Sequence, residues 1–302
     1  MNHTTTDGKI TIIMRTKNAA WVVGQALSAL FSQKRRDFEL LVVDSGSTDA
    51  TLDIVSRYPC RLVKIEAKEY FPGLVLNMAI REAKGSLIVF QNSDTVPLVT
   101  DALERLVAPI ENGSADATFA RQLPRPEAHT WVRRDYAAAF PETGDAPPWM
   151  SYSLPFAAMT RAAWEKHPFY EDAWGSEDTE WGYWARNNGL RVRYVPEALV
   201  MHSHNYTLRQ LYGRRFIEGE ADAFILRERS SLAKFALRTG ISCARDALAH
   251  VAARDLPGLA LTFPRRLVYH WAHLQGHRLG EQRRRSGNRD ASMGQKVVLE
   301  RQ

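Results

Sequence analysis

Gly85–Pro97 reads GSLIVFQNSDTVP, and Leu87, Ile88, Val89 and Phe90 make an uninterrupted apolar run within it. A run with no polar residue on either alternation fits a strand buried on both faces of a sheet. Gln91, Asn92, Ser93 and Asp94 follow directly, and polar side chains cannot continue that burial. A carboxylate just past the C-terminal end of a central strand sits where open α/β sheets bind ligands. Asp94 is therefore a candidate to hold a divalent cation against a phosphate-bearing substrate. The other reading is a residue that only caps the turn into Pro97.

Working outward toward the N-terminus, Lys9–Arg15 (KITIIMR) reads as a first strand, with Thr16, Lys17 and Asn18 as the loop at its end. Ala19–Ser32 has helical spacing, with Trp21, Ala26, Leu27, Leu30 and Phe31 able to share a face. Phe38–Val43 (FELLVV) is a second strand running into Asp44-Ser45-Gly46-Ser47-Thr48-Asp49, and Ala50–Tyr58 resumes a helical pattern. Arg61–Ile65 is a third strand. Gly73–Lys84 is a helix containing Asn77, for which Gly85 would serve as a C-terminal stop. Strands and helices alternating with short connections predict a parallel sheet covered on both faces.

In the Asp44–Asp49 loop, Gly46 permits a sharp turn, and Ser47, Thr48 or Asp49 can cap the next helix. Small polar residues before a helix N-terminus suit anionic or nucleotide ligands, because free backbone N–H groups point outward there. An N-cap alone would explain Ser47–Asp49 and leave Asp44 idle. Neither GxGxxG nor GxxxxGK[ST] occurs, which argues against a dinucleotide fold and against a P-loop NTPase.

Toward the C-terminus, helical Ala102–Ile110 and a strand over Ala117–Arg121 precede RQLPRPEA and a helical Trp131–Tyr136. Phe140–Trp149 is rich in proline and glycine and reads as a loop. Long irregular loops in compact domains are commonly functional, and this one is expected to border a ligand site. Trp149, Tyr152 and Trp174 offer flat aromatic faces there. Glu177, Asp178 and Glu180 then crowd three carboxylates ahead of a helix over Trp181–Asn188. They either stabilise the helix N-terminus through its dipole or supply a general base. Leu190–Val195 is another strand, leading to Val200-Met201-His202-Ser203-His204.

Four segments come in the order seen in family 2 glycosyltransferases: RTKN at Arg15–Asn18, VVDSGSTDATL at Val42–Leu52, PGLVLNMA at Pro72–Ala79 and FQNSDTVP at Phe90–Pro97. The resemblance spans about Lys9 to Phe224. It implies the GT-A fold, a Rossmann-like α/β fold with a mostly parallel central sheet flanked by helices, here with a C-terminal helical extension. It also implies a nucleotide-sugar site drawn from Thr16, Asn18, Asp44, Ser45, Ser47, Asn77, Asn92 and Ser93, with Asp44 contacting the nucleobase. The family's DxD-type element, which holds Mg2+ or Mn2+ on the diphosphate, matches Asn92-Ser93-Asp94. Because Asn92 replaces the first aspartate, Asp94 is left as the one carboxylate ligand, and rhamnosyltransferase-like bacterial members share this reduction. The run YVPEALVMHSHNYTLRQLYGRRF also resembles that branch.

The resemblance places an ED pair at Glu177-Asp178, with Asp178 deprotonating the acceptor hydroxyl and Glu177 positioning that hydroxyl or the base. It makes the site beside the Phe140–Trp149 loop an acceptor site, with Trp149, Tyr152 and Trp174 as faces for sugar rings. A histidine commonly completes the metal site. His202 and His204 lie at i and i+2 on an extended segment and so point to opposite sides, which predicts only one of them beside Asp94, His202 in preference to His204. Imidazole suits Mn2+ better than Mg2+. Arg214 and Arg215 compare loosely with a QxxRW element near the diphosphate. The implied reaction is metal-dependent and inverting, a single displacement from a dTDP-rhamnose or UDP-sugar donor to a bacterial glycan or lipid-linked saccharide. Alternatives on related folds are a nucleotidyltransferase, which would want a glycine-rich loop absent from Thr16–Ala20, and a non-catalytic nucleotide-sugar or glycan-binding protein.

The expected division is a catalytic domain over 1–216, its nucleotide-sugar half about 1–100 and its acceptor half about 101–216. A helical region over 217–285 and a mobile tail over 286–302 follow. Helical patterns over Ile217–Ala236, Ile241–Arg254 and Leu259–Leu279 interleave aromatics and leucines with basic residues. Residues 205–302 carry 18 Lys+Arg against 9 Asp+Glu, whereas 1–204 carry 22 against 25. Such helices can lie on an anionic membrane surface, pack on the catalytic domain or form a homodimer. No nucleic-acid-binding motif accompanies the charge. Two distant cysteines, Cys60 and Cys243, and a short polar N-terminus fit a cytoplasmic protein without signal peptide.

Overall fold

The computed structural model describes residues 10–227, 229 and 231–299; the polar stretch 1–9, including Lys9 of the first expected strand, and residues 300–302 lie outside them. In chain order the elements begin β1 (Ile10–Thr16), α1 (Val23–Phe31), β2 (Phe38–Asp44), α2 (Thr51–Val55), β3 (Arg61–Lys64), α3 (Pro72–Glu82), β4 (Leu87–Gln91) and β5 (Val96–Pro97). They continue with α4 (Ala102–Glu111), β6 (Ala117–Leu123), α5 (Thr130–Ala139), β7 (Phe156–Thr160), α6 (Arg161–Lys166), α7 (Glu177–Asn187) and β8 (Val192–Met201). Four helices close the described chain: α8 (Leu208–Ile225), α9 (Leu232–Ala252), α10 (Leu256–Ser286) and α11 (Ser292–Leu299).

One eight-stranded sheet runs β3-β2-β1-β4-β7-β6-β8-β5. Its first four strands are parallel, as the alternation of strands and helices predicts, and β7 inserts antiparallel between β4 and β6. The apolar run in β4 is buried on both faces. Ile88 and Phe90 join Ile13, Leu41 and Phe119 in one core layer, while Leu87 and Val89 join Ile12, Leu30 and Leu103 in the other. Each such side chain contributes about 1.5–3 kcal/mol by leaving water, so β4 is pinned in register from both sides. Between β1 and β4 the chain order reverses, and the crevice beyond their C-terminal ends is where the site forms.

Several sequence expectations give way in detail. α1 starts at Val23, so Trp21 precedes it and is 60% exposed. α3 stops at an extended Ala83, and Gly85 instead donates its N–H to Thr11 Oγ1 (2.8 Å) as it enters β4. β7 was not foreseen. α8 runs across the expected boundary at 216 and is capped by Thr207, whose hydroxyl accepts the Gln210 N–H. Within the expected tail, Ser292–Leu299 is helical, and Ala291 and Val298 pack with Trp174 and Ile217.

The C-terminal helices meet the rest through close backbone approach and buried charge. A Cβ on Gly276 would overlap the Phe216 carbonyl of α8, and one on Gly219 the His273 carbonyl of α10. Arg266 of α10 reaches Asp246 of α9 (2.6 Å) and Asp135 of α5 (2.9 Å), and Arg134 of α5 lies 2.8 Å from the same Asp246. The hairpin of α9 and α10 is thereby tied to α5.

Candidate active site

At the end of β4, the Asn92 N–H bonds the Pro155 carbonyl (3.1 Å) and the Ser93 N–H the Arg15 carbonyl (3.3 Å). These bonds turn the chain so that Asp94 faces the segment after β8. His204 Nε2 lies 3.1 Å and His202 Nε2 3.7 Å from Asp94 Oδ2. One ligand atom from each residue lies within 4.8 Å of the other two. Only one imidazole was expected there. β8 ends at Met201, so both histidines lie beyond the strand, and their rings meet edge to face with centroids 5.0 Å apart rather than on opposite sides.

The donor set, one carboxylate and two imidazoles, fits Mg2+ or Mn2+. Burial opposes charge on Asp94, but His202 and His204 outweigh it and hold the carboxyl well below its usual range. Burial takes the His202 imidazole down to about 4, so the ring is neutral at physiological pH. Gln122 donates its amide to Ser153 Oγ (2.8 Å), which turns its Oε1 toward His202 Nδ1 (2.9 Å). His202 therefore carries its proton on Nδ1 and presents the Nε2 lone pair to the cluster. Asp94, His202 and His204 form a candidate metal-binding triad. Arg125, which sequence reasoning missed, donates to the Asp94 carbonyl (2.5 Å) and lies over the Trp21 ring.

Two cavities flank this triad. The first, of about 660 Å3, is lined by Thr16, Asn18, Ser45, Asn92, Ser93 and Asp94, with Tyr70 and Trp174 opposite. The second, of about 680 Å3, contains Asp178, His202 and Trp149. Arg15, Asn92, Glu177, His204, Tyr206 and Arg214 border both, so the cavities meet at a common wall.

α7 supplies the acidic part of that wall. It starts at Glu177, earlier than expected, from a left-handed Ser176 (φ 59°). Arg15 Nη1 donates to Glu177 Oε1 (2.9 Å), fixing that carboxylate between the cavities. Asp178 accepts the Leu154 N–H (3.3 Å) and the Thr179 N–H (2.8 Å). Burial, with the neighbouring Glu177 adding to it, raises the Asp178 carboxyl to about 6, against the opposing charge of Arg214.

The remaining expected site residues make further contacts of their own. The Asp44 carboxylate accepts the Gly46 and Ser47 N–H groups (3.0 Å each) and the Ser47 hydroxyl. Asp44 and Ser47 thus shape the loop from behind, while Asn18 (φ 48°) clasps it by accepting the Thr48 N–H (2.8 Å). Asn77 is buried away from both cavities, linking the Trp164 indole N–H (2.9 Å) to the Phe169 carbonyl (2.8 Å) and Glu171. Trp174, expected at the acceptor, lines the first cavity instead. Arg215 is absent from that cavity; it pairs with Glu218 and lies over the Tyr269 ring at 3.9 Å. Arg15 was legible within RTKN, at the C-terminal end of β1, though its pairing with Glu177 was not.

Comparison with known proteins agrees with this geometry. The profile described as Glycosyl transferase family 2 matches residues 11–172. The chain is 30% identical over 226 residues to the O-antigen chain rhamnosyltransferase RfbN of Salmonella typhimurium, covering 70% of this chain and 71% of that one. It is likewise 30% identical to the O-antigen chain rhamnosyltransferase WbaN of Salmonella anatum, over 69% and 70% of the two chains. Among solved structures, the mannosyltransferase PcManGT of Pyrobaculum calidifontis, in complex with GDP-Man and Mn2+, superposes with a TM-score of 0.61 at 19% identity, over 91% of this chain and 87% of that one.

Proposed function

The chain belongs to glycosyl transferase family 2, and on that premise we propose that it is an inverting hexosyltransferase of the rhamnosyltransferase-like branch. Its donor would be dTDP-rhamnose or a UDP-sugar, and its acceptor a hydroxyl of a bacterial glycan or lipid-linked saccharide, used in the cytoplasm. The observation that carries this reading is the meeting of the two cavities at the triad, with Asp94 on the first, His204 bordering both, and His202 on the second together with Asp178.

In this reading the first cavity takes the nucleoside diphosphate. Trp21, Tyr70 and Trp174 offer aromatic faces there, and Thr16, Asn18 and Ser45 offer polar groups. Asp94, His202 and His204 would hold Mg2+ or Mn2+, which when bound would neutralise charge growing on the leaving diphosphate. Arg214, bordering both cavities, adds fixed positive charge. The second cavity takes the acceptor, with Trp149, 63% exposed at its edge, as a stacking face.

Asp178 takes the proton from the acceptor hydroxyl as its oxygen attacks the anomeric carbon and the C–O bond to the diphosphate breaks. A base whose carboxyl titrates near 6 is ionised at neutral pH and still basic enough to accept that proton. Glu177, held by Arg15, orients the hydroxyl. Attack from the side opposite the leaving group inverts the anomeric centre in one step.

The test is donor binding and slow donor hydrolysis across a panel of nucleotide sugars, with and without Mn2+. One preferred donor, metal dependence, and loss of that dependence in Asp94→Ala are expected. Binding without turnover under any condition, with acceptor-side extracts present, would leave a nucleotide-sugar-binding protein instead.

A further inference from the structure

α9 is buried on one face only. Thr239, Asp246 and His250 point inward, and the opposite face carries Leu237, Ile241, Leu248 and Val251, all exposed, with Leu248 at 73%. Their spacing (i, i+4, i+11, i+14) makes one continuous apolar stripe. α10 repeats the arrangement in its first half: Leu256, Phe263 and Leu267 are exposed, while Gly258, Thr262, Arg265 and Arg266 face inward and Trp271 packs edge-on against Phe235 of α9. Two adjoining helices thus turn apolar rows away from the helices they pack on. Among the described residues no helix is long and apolar enough to cross a membrane.

The charge beside these rows is basic, save for Asp255 at the turn, whose carboxylate is taken up by His250 (2.8 Å) and the Thr130 hydroxyl (2.8 Å). The single acidic residue of α9, Asp246, is buried in the ion network, and Leu256–Trp271 contains no acidic residue. Exposed Arg238 and Arg245 run along one flank of the α9 stripe, and exposed Arg254 (φ 54°) sits at the turn between the helices. Pairing this face with a second copy of itself would bring arginine rows together. A negatively charged, apolar-cored surface satisfies both features at once.

We propose that the α9–α10 hairpin lies on an anionic lipid bilayer, its apolar rows sunk among the acyl chains and its arginines at the headgroups. Ser242, Arg245, Tyr269 and His270 of the same hairpin line the second cavity, so docking sets that cavity beside the bilayer surface. A saccharide carried on a lipid would reach it without leaving the membrane; this last clause rests on the glycosyltransferase reading, whereas bilayer docking does not.

The experiment is flotation of the full chain with phosphatidylglycerol-containing or pure phosphatidylcholine vesicles, at low and high salt, beside sedimentation equilibrium without lipid. The chain is expected to float with the anionic vesicles at low salt and much less with neutral ones. A Leu237→Ser, Leu248→Ser, Val251→Ser triple variant should lose at least tenfold in vesicle partitioning. A basic residue near an anionic surface strengthens association about fivefold, so Arg238→Ser with Arg254→Asn should lose about 25-fold at low salt and far less at high salt. Donor hydrolysis should be unchanged in both variants, which separates failure of docking from failure of the transferase reading. No flotation with either vesicle, or equal flotation with both, would overturn the proposal. So would a lipid-free dimer that the serine variant dissociates, since a second copy would then cover the face.

Discussion

Asp178 and Glu177 are adjacent carboxylates with different surroundings, and that difference gives the first prediction. Glu177 is buried and paired with Arg15, whereas desolvation beside that second carboxylate raises the half-buried Asp178 carboxyl to about 6. A base must be unprotonated, so kcat/KM should climb about tenfold per pH unit below that value and level off above it. Asp178→Asn should lower turnover by about 10²–10⁴ while donor binding, measured by calorimetry, stays intact. Gln122→Leu should weaken Mn2+ binding by about 10–100-fold, read by titration, because the His202 ring loses the acceptor that fixes its tautomer. At this scale Asp94 and the Glu177-Asp178 pair were legible, since each stands where a regular element starts or stops. The convergence of both histidines was not. Side-chain alternation is a property of strands, and β8 stops one residue short of His202.

At the scale of elements, legibility followed burial. β1, β2 and β4 announce themselves as apolar runs, and both faces of β4 are covered. β7 (FAAMT) does not, because two alanines carry little of the branched bulk that marks a strand; it is held by pairing with β4 and β6 rather than by its own composition. The break between α8 and α9 was misplaced for a similar reason, since residues 226–231 contain neither proline nor glycine. The α8–α10 contact depends on glycine at a position where any side chain meets backbone. Gly276→Ala should therefore cost about 1–3 kcal/mol, as overpacking does, seen as a lower denaturant midpoint with an unchanged slope.

The whole molecule joins distant segments into the two cavities. Their walls combine the ends of β1 and β4 with α5, α7, α8 and the C-terminal helices, and no local pattern encodes that assembly. Even α11 takes part, through Gln295 and Val298 on the first cavity. Removing residues 288–302 should raise the donor KM severalfold with little change in kcat, measured by initial rates at saturating acceptor. The ion cluster of Arg134, Asp135, Asp246 and Arg266 has a consequence of another kind. Deleting Asp246 or Arg266, the two buried members, leaves the other's charge under-compensated at about 3–5 kcal/mol, while exchanging both for apolar groups can be neutral. Intermediate genotypes therefore lie in a fitness valley. Diverging lineages should keep this buried pair or replace both residues together, inheriting it as a single character.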